Sequence, residues 1–316
     1  MTTAQSPIHS GFGARTTAAE VLAGIDLSGK RAVVTGGYSG IGIETVRALA
    51  NAGAEVVVPA RRVDVAREAL AGIGRVRVEA LDLGDLQSVN RFADTMVAAG
   101  GHIDMVIDSA GIMACPETRV GPGWEAQFGT NHLGHFALIN GLWPLLKGGA
   151  RVVSVSSGGH GISDIRWDDP QFLTGYDRWQ AYGQAKTANV LFAVELDRLG
   201  APHGVQAFSL HPGAILTPLQ RHLTTEDMMA AGWVDADGRG IDPSFKSTQQ
   251  GAATQVWAAT SPQLAGMGGV YCEDCDITSV AETKGQPGVR RYAIDGASAR
   301  RLWTLSAELT GVNAFA

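Results

Sequence analysis

A glycine-rich stretch between an apolar segment and a helix-like segment constrains the fold of this chain more than any other feature. A short, mainly apolar run leads into Gly36, Gly40 and Gly42, and a helix-like pattern without proline continues to residue 53. A second apolar run at residues 54–59 completes a β-α-β pattern. Glycine lets a ligand approach the backbone closely, and the free N–H groups at the start of the helix attract a phosphate. The stretch predicts a dinucleotide site; the alternative is an ordinary tight turn between strand and helix.

Length and charge limit the class of protein. At 316 residues the chain suits one large α/β domain or two small ones. Its formal net charge of −6 argues against nucleic acid or an anionic membrane surface as a partner. No apolar run approaches the ~20 residues that span a bilayer, and the N-terminus lacks a signal-peptide pattern. Cys115, Cys272 and Cys275 are too few for a disulfide framework, so we expect a cytoplasmic protein.

Strand-like and helix-like segments alternate along most of the chain. This alternation predicts an α/β fold with a doubly wound parallel sheet of about seven strands and helices on both faces. The strand-like runs lie near residues 31–36, 54–59, 75–81, 103–108, 150–156 and 205–210.

Three further segments lie outside this alternation. Residues 1–28 are expected to form a polar, mobile N-terminal arm that ends in a small amphipathic element. Residues 219–247 have weak periodicity and several glycines, which is typical of a substrate lid. A helix-like piece around residues 297–309 has no predicted place. No repeat or linker marks a second domain, so residues 29–316 are predicted to be a single dinucleotide-binding catalytic domain.

The end of the second strand bears on the choice of cofactor. A carboxylate there usually binds the ribose 2′-OH of NAD, whereas arginine suits the 2′-phosphate of NADP. This chain has Arg61 and Arg62, with no acid before Asp64, so NADP(H) is preferred over NAD(H). The alternative is that both arginines are merely solvated at the start of a helix. Asp82, after the third strand, is expected either to accept a hydrogen bond from the adenine amino group or to cap a helix.

Tyr182 and Lys186 form a second group of interest. They lie one helical turn apart, so their side chains leave the same face of a helix. A phenol has an unperturbed pKa of about 10, and a neighbouring ammonium group favours the phenolate. The pair is therefore a candidate acid/base group, and it follows a strand that ends in Ser156 and Ser157.

These motifs together resemble the short-chain dehydrogenase/reductase family, and within it the retinol dehydrogenase and WW-domain oxidoreductase branch. The resemblance covers about residues 16–275 and rests on the motifs at 35–42 and 182–186 and on the segments at 16–29, 128–136 and 186–192. It implies a single-domain Rossmann-type fold. It also implies a catalytic group of Asn131, Ser157, Tyr182 and Lys186.

The resemblance further implies how the cofactor is held. A Pro-Gly turn follows the sixth strand, and beyond it the backbone of Ile215 and the side chain of Thr217 are expected to meet the nicotinamide carboxamide. Family members commonly pair through two helices, so a homodimer or homotetramer is expected, with a monomer left open. The residues expected to surround the cofactor are Gly36, Tyr38, Ser39, Gly40, Ile41, Gly42, Arg61, Arg62, Asp82, Leu83, Ser109, Ala110, Gly111, Tyr182, Lys186, Pro212, Gly213, Ile215 and Thr217.

The chain departs from the family pattern after the fourth strand. The family usually carries Asn-Asn-Ala-Gly, whereas this chain has Asp-Ser-Ala-Gly at residues 108–111. The amide pair that would brace the central strands is missing, and Asp108 is expected to add a carboxylate beneath the cofactor. Either other donors replace the braces, or cofactor affinity is reduced.

The expected reaction is hydride transfer between a nicotinamide and a carbonyl carbon of a small apolar ketone, aldehyde or alcohol. In this scheme Tyr182 moves the proton, Ser157 stabilises the developing alkoxide, Lys186 lowers the tyrosine pKa and Asn131 holds a relay water. Two alternatives remain open. One is a catalytically idle NADP(H)-binding sensor, and the other is a dehydratase or epimerase on the same fold.

Other polar groups carry weaker expectations. No metal is predicted, because Cys272 and Cys275 have no second cysteine pair and His132 and His135 have no third ligand. The two cysteines are interpreted as bordering the substrate region or, alternatively, as a redox pair. His160 is placed either facing the substrate or in a surface turn. The apolar residues expected to line a substrate pocket or the core are Leu219, Met228, Met229, Trp233 and Phe245.

Overall fold

One large sheet organises the computed structural model, which describes residues 3–283 and 285–316. Within these residues the sheet has eight strands in the order β8-β7-β6-β5-β4-β1-β2-β3. Neighbouring strands are parallel except β7 and β8, which are antiparallel. The strands are β1 (Arg31–Thr35), β2 (Glu55–Ala60), β3 (Val76–Ala80), β4 (Met105–Asp108), β5 (Arg151–Val155), β6 (Gln206–His211), β7 (Tyr271–Glu273) and β8 (Asp276–Ile277).

Helices cover both faces of this sheet, which confirms the predicted fold class. The inner strands are buried on both faces and read as nearly continuous apolar runs, as parallel strands do. The longer helices are α1 (Gly40–Asn51), α2 (Val63–Leu70), α3 (Leu86–Ala99), α4 (Gly134–Leu146), α5 (Arg178–Gly200), α6 (Ala253–Thr260) and α7 (Gly296–Thr310). Shorter helices lie at Ala18–Val21, Ala126–Phe128, Thr225–Ala230 and Thr248–Gly251.

Each face of the sheet has its own apolar core. On one face, Leu49 of α1 and Trp257 of α6 pack among the strand side chains. On the other face, Met96 of α3, Leu138 of α4 and Leu196 of α5 do so. The sheet is therefore the middle layer of three.

The helix expected from residue 128 to 146 is interrupted at its start. A π-helical turn at Gly129–Leu133 joins the short helix Ala126–Phe128 to α4. The extra residue in such a turn changes which side chains face the sheet. It places Asn131 inside the protein.

Two short strand pairs and the C-terminal helix complete the chain. Arg119–Val120 pairs with Trp124–Glu125, and Val280–Ala281 pairs with Val289–Arg290. The helix-like piece at residues 297–309, which had no predicted place, belongs to α7. This helix packs on α5, and the rings of Phe192 and Trp303 stack with their centroids 5.8 Å apart.

The N-terminal arm is hydrogen-bonded to the edge of the sheet, and its mobility stays a prediction. Gln5 donates to the carbonyls of Tyr271 and Thr278 and accepts from the Tyr271 N–H. The carboxylate of Asp276 accepts from the N–H groups of Ile8 and Ser10. Among the described residues, no helix is both long and apolar enough to cross a bilayer.

Candidate active site

A cavity of about 490 Å³ opens at the carboxyl ends of the parallel strands. Ligands of open α/β sheets bind at this edge, at the point where the strand order reverses. Here the sheet continues from β1 with β2 and β3 on one side and with β4 and β5 on the other. Every residue expected to surround the cofactor lines this cavity, and so does Ser157. The structure thus brings together residues that are far apart in the sequence.

The glycine turn between β1 and α1 is tightly packed. A Cβ atom on Gly36 would lie 2.9 Å from the Cα of Ala110, and Gly36 has a φ of +67°. A Cβ atom on Gly42 would lie 2.2 Å from the carbonyl oxygen of Gly36. The side chain of Ser39 does not cap α1, so N–H groups of its first turn are available to a ligand. This is the cradle that a phosphate group needs.

The charged residues around the cavity favour an anion. Its lining includes four cationic side chains (Arg61, Arg62, Lys186 and Arg221) and one carboxylate (Asp82), a net charge of +3. The whole chain, in contrast, has a formal net charge of −6. A dinucleotide with phosphate groups therefore matches the cavity in shape and in charge.

The arginines after β2 are exposed at the cavity. Within the described residues neither Arg61 nor Arg62 forms an ion pair, and the nearby carboxylate of Asp64 lies 3.6 Å from Arg67 instead. Asp82 does not cap the following helix, because Asp85 does so by accepting from the Gln87 N–H. The helix-cap interpretation of Asp82 is therefore wrong.

Tyr182 and Lys186 lie on the buried face of α5 beside the end of β5. The amino group of Lys186 donates to the carbonyl of Val155 at 2.9 Å and lies 5.7 Å from the centre of the Tyr182 ring. Burial raises the pKa of Tyr182 to about 12, although the Ser157 hydroxyl acts in the opposite direction. Burial also lowers the pKa of Lys186 to about 8. Lys186 is not among the causes of the tyrosine shift, so the lowering expected from Lys186 together with a nicotinamide ring stays a prediction.

Ser157 is held in a short helical turn that also contacts Tyr182. Its Oγ accepts from the N–H of Gly159 at 3.0 Å, which leaves the hydroxyl proton for another acceptor. A Cβ atom on Gly159 would lie 2.7 Å from Cε1 of Tyr182, so only glycine lets the ring approach the turn.

His160 supports this turn from behind and neither faces a substrate nor lies at the surface. It is 1% exposed, and its Nδ1 bonds the Ser157 carbonyl at 2.7 Å. Its Nε2 accepts from the N–H of Arg290 at 3.1 Å, which fixes a neutral ring with the proton on Nδ1. Burial lowers its pKa to about 4. The distance of Arg290 along the chain explains why the sequence could not reveal this role.

Asn131 is buried and does not line the cavity. Its side chain accepts from the N–H of Ile112 at 2.8 Å and donates to the Ile112 carbonyl at 2.9 Å. Its backbone carbonyl bonds Nδ1 of His135 at 3.0 Å. Asn131 thus fixes the segment after β4, and its part in a proton relay stays a prediction.

Other side chains replace the brace that is missing after β4. Ser109 donates to Gln255 at 3.2 Å, Gln255 donates to Thr45, and Thr45 donates to the Ile41 carbonyl at 3.0 Å. This chain of bonds joins the end of β4 to α6 and to the first turn of α1. Of the two outcomes left open by the sequence, the structure favours replacement of the braces.

Asp108 is buried at the carboxyl end of β4. It does not line the cavity, and no described group bonds its carboxyl oxygens. Burial raises its pKa well above the usual range of a carboxyl group, which favours the neutral acid.

The cysteines and two of the histidines belong to the interior. Cys272 and Cys275 have free thiols in the core beneath α6, not at the cavity, so the expectation that they border the substrate region is wrong. His132 bonds the hydroxyl of Ser306 at 2.7 Å, and His135 bonds that of Thr35 at 2.9 Å. Burial lowers the pKa of His132 to about 3 and that of His135 to about 4.

Part of the 219–247 segment reaches the cavity. Leu219, Trp233 and Phe245 line it, whereas Met228 does not and Met229 is 43% exposed at the surface. The cavity residues that the sequence did not single out include Met113, Thr130, His211, Gln220 and Arg221. These residues come from separate elements, among them the π-helical turn for Thr130 and the end of β6 for His211, so only the fold brings them to the site.

The fold and this cavity define an α/β protein with a dinucleotide-type glycine turn beside a serine, tyrosine and lysine group. The chain belongs to the short chain dehydrogenase family, whose family model matches residues 30–228. This assignment makes it an oxidoreductase and supports a nicotinamide cofactor.

Similar proteins agree with the assignment. The chain is 48% identical over 296 residues to a "Probable oxidoreductase" of Streptomyces lividans, covering 90% of this chain and 98% of that protein. It is 36% identical over 296 residues to human retinol dehydrogenase 12, covering 91% and 88%. A crystal structure of an uncharacterized protein from Mycobacterium paratuberculosis has a TM-score of 0.73 and 34% identity, covering 96% of this chain and 99% of that one.

Proposed function

We propose that this protein is an NADP(H)-dependent oxidoreductase that interconverts a carbonyl group and an alcohol on a small apolar substrate. One observation carries the proposal: Ser157, Tyr182 and Lys186 open into the same cavity as the glycine turn and the unpaired arginines Arg61 and Arg62. The apolar wall formed by Met113, Trp233 and Phe245 supports an apolar substrate.

The protein groups handle the proton and the developing charge. In reduction, the Tyr182 phenol donates its proton to the carbonyl oxygen, and in oxidation the tyrosine accepts a proton from the alcohol. The Ser157 hydroxyl donates to the same oxygen, since its own oxygen already accepts from Gly159. Lys186, fixed by the Val155 carbonyl, would hold the nicotinamide ribose with its remaining protons. When bound, the nicotinamide donates or accepts the hydride and, when oxidised, adds positive charge that favours the phenolate.

The preference for NADP(H) rests on the end of β2. Two exposed guanidinium groups stand there without a carboxylate partner in the described chain, and a 2′-phosphate would neutralise them. A cytoplasmic location and pairing into a homodimer or homotetramer stay predictions from the sequence.

The test is turnover of a panel of aliphatic and aromatic aldehydes, ketones and secondary alcohols, followed by the absorbance of the reduced nicotinamide. Tyr182→Phe removes the proton donor, so we expect turnover to fall by roughly 10²–10⁴-fold with NADPH affinity unchanged. Tyr176→Phe is the matched control, because Tyr176 bonds the Cys115 carbonyl and does not line the cavity.

The outcomes separate the alternatives. NADPH binding without turnover of any panel member would favour the cofactor sensor. No affinity for NADPH or NADH would overturn the proposed function as a whole.

A further inference from the structure

Arg221 is a cationic residue of the cavity that the proposed mechanism leaves without a role. It lies at the start of the 219–247 segment, and its side chain is exposed at the cavity wall. Its guanidinium donates to the Pro218 carbonyl at 3.0 Å. No carboxylate of the described residues forms an ion pair with it. An exposed arginine that lines a cavity and has no anionic partner is available to a ligand.

Partial burial and two neighbouring guanidinium groups disfavour the charged form of Arg221 when no anion is bound. Burial lowers its pKa, and Arg61 lowers it further, with Arg62 acting in the same direction. The three guanidinium groups line the same cavity, although they come from two separate segments of the chain. A doubly charged phosphate would convert this repulsion into attraction.

The backbone that carries Arg221 is bonded to the expected nicotinamide contacts. Thr217 caps the turn Pro218–Gln220 by accepting from the Leu219 N–H at 3.2 Å. Gln220 accepts from the Thr217 N–H at 2.9 Å and donates to the Ile215 carbonyl at 2.8 Å. Arg221 follows directly, so its position is coupled to that of Ile215 and Thr217.

We propose that Arg221 binds the adenosine 2′-phosphate of NADP(H) together with Arg61 and Arg62, and that this contact fixes the start of the 219–247 segment over the site. The inference rests on the proposed function and extends it: NADP(H), but not NAD(H), would order the wall that faces the substrate. Arg221 is thus assigned as a determinant of cofactor specificity that acts from the substrate side of the cavity.

The experiment compares wild type with Arg221→Ala and Arg221→Lys in the full chain. Removing a charge-assisted contact to phosphate should weaken NADPH binding by about 10–100-fold, while NADH binding should change by less than about 3-fold. Arg221→Lys should restore part of the NADPH affinity, because the charge remains without the planar fork. Arg239→Ala is the matched control, since Arg239 lies in the same segment, is 76% exposed and pairs with Asp237 outside the cavity.

Hydrogen exchange provides a readout that does not depend on activity. NADPH should slow exchange at residues 218–230 in wild type and Arg239→Ala, but not in Arg221→Ala, and NADH should have little effect in any of them. Thermal unfolding should show that Arg221→Ala is folded, because within the described residues its guanidinium loses a single hydrogen bond, the one to the Pro218 carbonyl.

Each other outcome contradicts the inference at a defined point. Unchanged NADPH affinity in Arg221→Ala would overturn it. Equal weakening of NADPH and NADH binding would place Arg221 on the pyrophosphate and overturn the 2′-phosphate assignment. NADPH protection that persists in Arg221→Ala would overturn the coupling to the segment. If wild type binds neither dinucleotide, the proposed function fails, and this inference fails with it.

Discussion

Asp108 places a carboxyl group inside the sheet with no described group to bond it. The closest ionisable neighbour is His135, whose Nε2 lies 3.9 Å from the carboxyl oxygen and already bonds Thr35. Burying a charge without a partner is costlier than keeping the acid neutral, which is why burial raises the pKa. This burial lowers the free energy of unfolding only at pH values at which the same carboxyl group is ionised in the unfolded chain.

Asp108→Asn should therefore stabilise the protein in a pH-dependent manner. The folded pKa lies above the unfolded value near 3.8, so the wild type loses stability as pH rises from the unfolded pKa through the folded one. The neutral amide has no such loss. The advantage of the variant should be small near pH ~4 and grow by about 1.4 kcal/mol per pH unit above it, until the folded pKa is reached.

Urea unfolding between about pH 5 and about pH 8 measures this difference. Asp64→Asn is the control, because Asp64 is 99% exposed and loses only an exposed ion pair with Arg67, so its variant should stay within about 0.5 kcal/mol of wild type at every pH. A difference between Asp108→Asn and wild type that does not change with pH would contradict the assignment of a neutral buried acid.

At the scale of single residues, the sequence could predict side chains whose spacing along the chain sets their geometry. Tyr182 and Lys186 share a helical turn, and the glycines share a loop. It could not predict that burial raises the pKa of Tyr182 above that of a free phenol, because burial on all sides depends on the whole fold. The function of His160 likewise depends on Arg290, which lies 130 residues further along the chain.

The turn from β1 into α1 leaves no room for a side chain at Gly42. Gly42→Ala would place a Cβ atom 2.2 Å from the Gly36 carbonyl oxygen, so the helix would have to move away from the strand. We expect a loss of at least about 2 kcal/mol in the free energy of unfolding and a loss of NADPH affinity, since the same turn carries the phosphate cradle.

Gly72→Ala is the matched control for this prediction. Nothing lies within 4 Å of a Cβ atom at Gly72, so its stability should stay within about 0.5 kcal/mol of wild type. Urea unfolding and NADPH titration of both variants make the comparison. Wild-type affinity in a folded Gly42→Ala protein would show that the cradle does not need this close approach.

At the scale of elements, periodicity predicted the parallel strands and the long helices but not the irregular elements. The antiparallel strand β8 follows a reversal in which Asp274 and Cys275 have positive φ values of 51° and 60°. Such turns usually carry glycine or asparagine, so the sequence gives no signal there. The π-helical turn Gly129–Leu133 is equally silent, because nearly every residue of the following helix α4 is buried and a shift in helical register leaves no visible break in the apolar pattern.

The whole molecule separates charge between its surface and its cavity. A chain with a formal net charge of −6 surrounds a cavity whose lining carries +3. Converging fields from several arginines and a lysine raise the local concentration of anions and speed their binding. Composition alone gives the overall sign but cannot show this separation, because the cationic residues come from distant segments.

The N-terminal arm joins parts of the molecule that are distant in sequence. It runs from the β7–β8 edge, where Gln5 is bonded, to the end of the 219–247 segment. There the guanidinium of Arg15 donates to the carbonyls of Pro243 and Phe245, and the Arg15 carbonyl accepts from Gln250. Phe245 lines the cavity, so the arm supports one wall of the site from outside.

Arg15→Ala should therefore loosen this wall without unfolding the protein. The two bonds it removes are exposed, so the free energy of unfolding should fall by no more than about 1 kcal/mol. Hydrogen exchange should quicken at residues 243–247, where local opening no longer breaks these bonds, and stay unchanged in β1. Arg67→Ala, which removes an exposed arginine of α2, is the control and should leave residues 243–247 at wild-type rates. Faster exchange in β1 as well would mean general destabilisation, and unchanged exchange at residues 243–247 would mean that the arm does not support the wall.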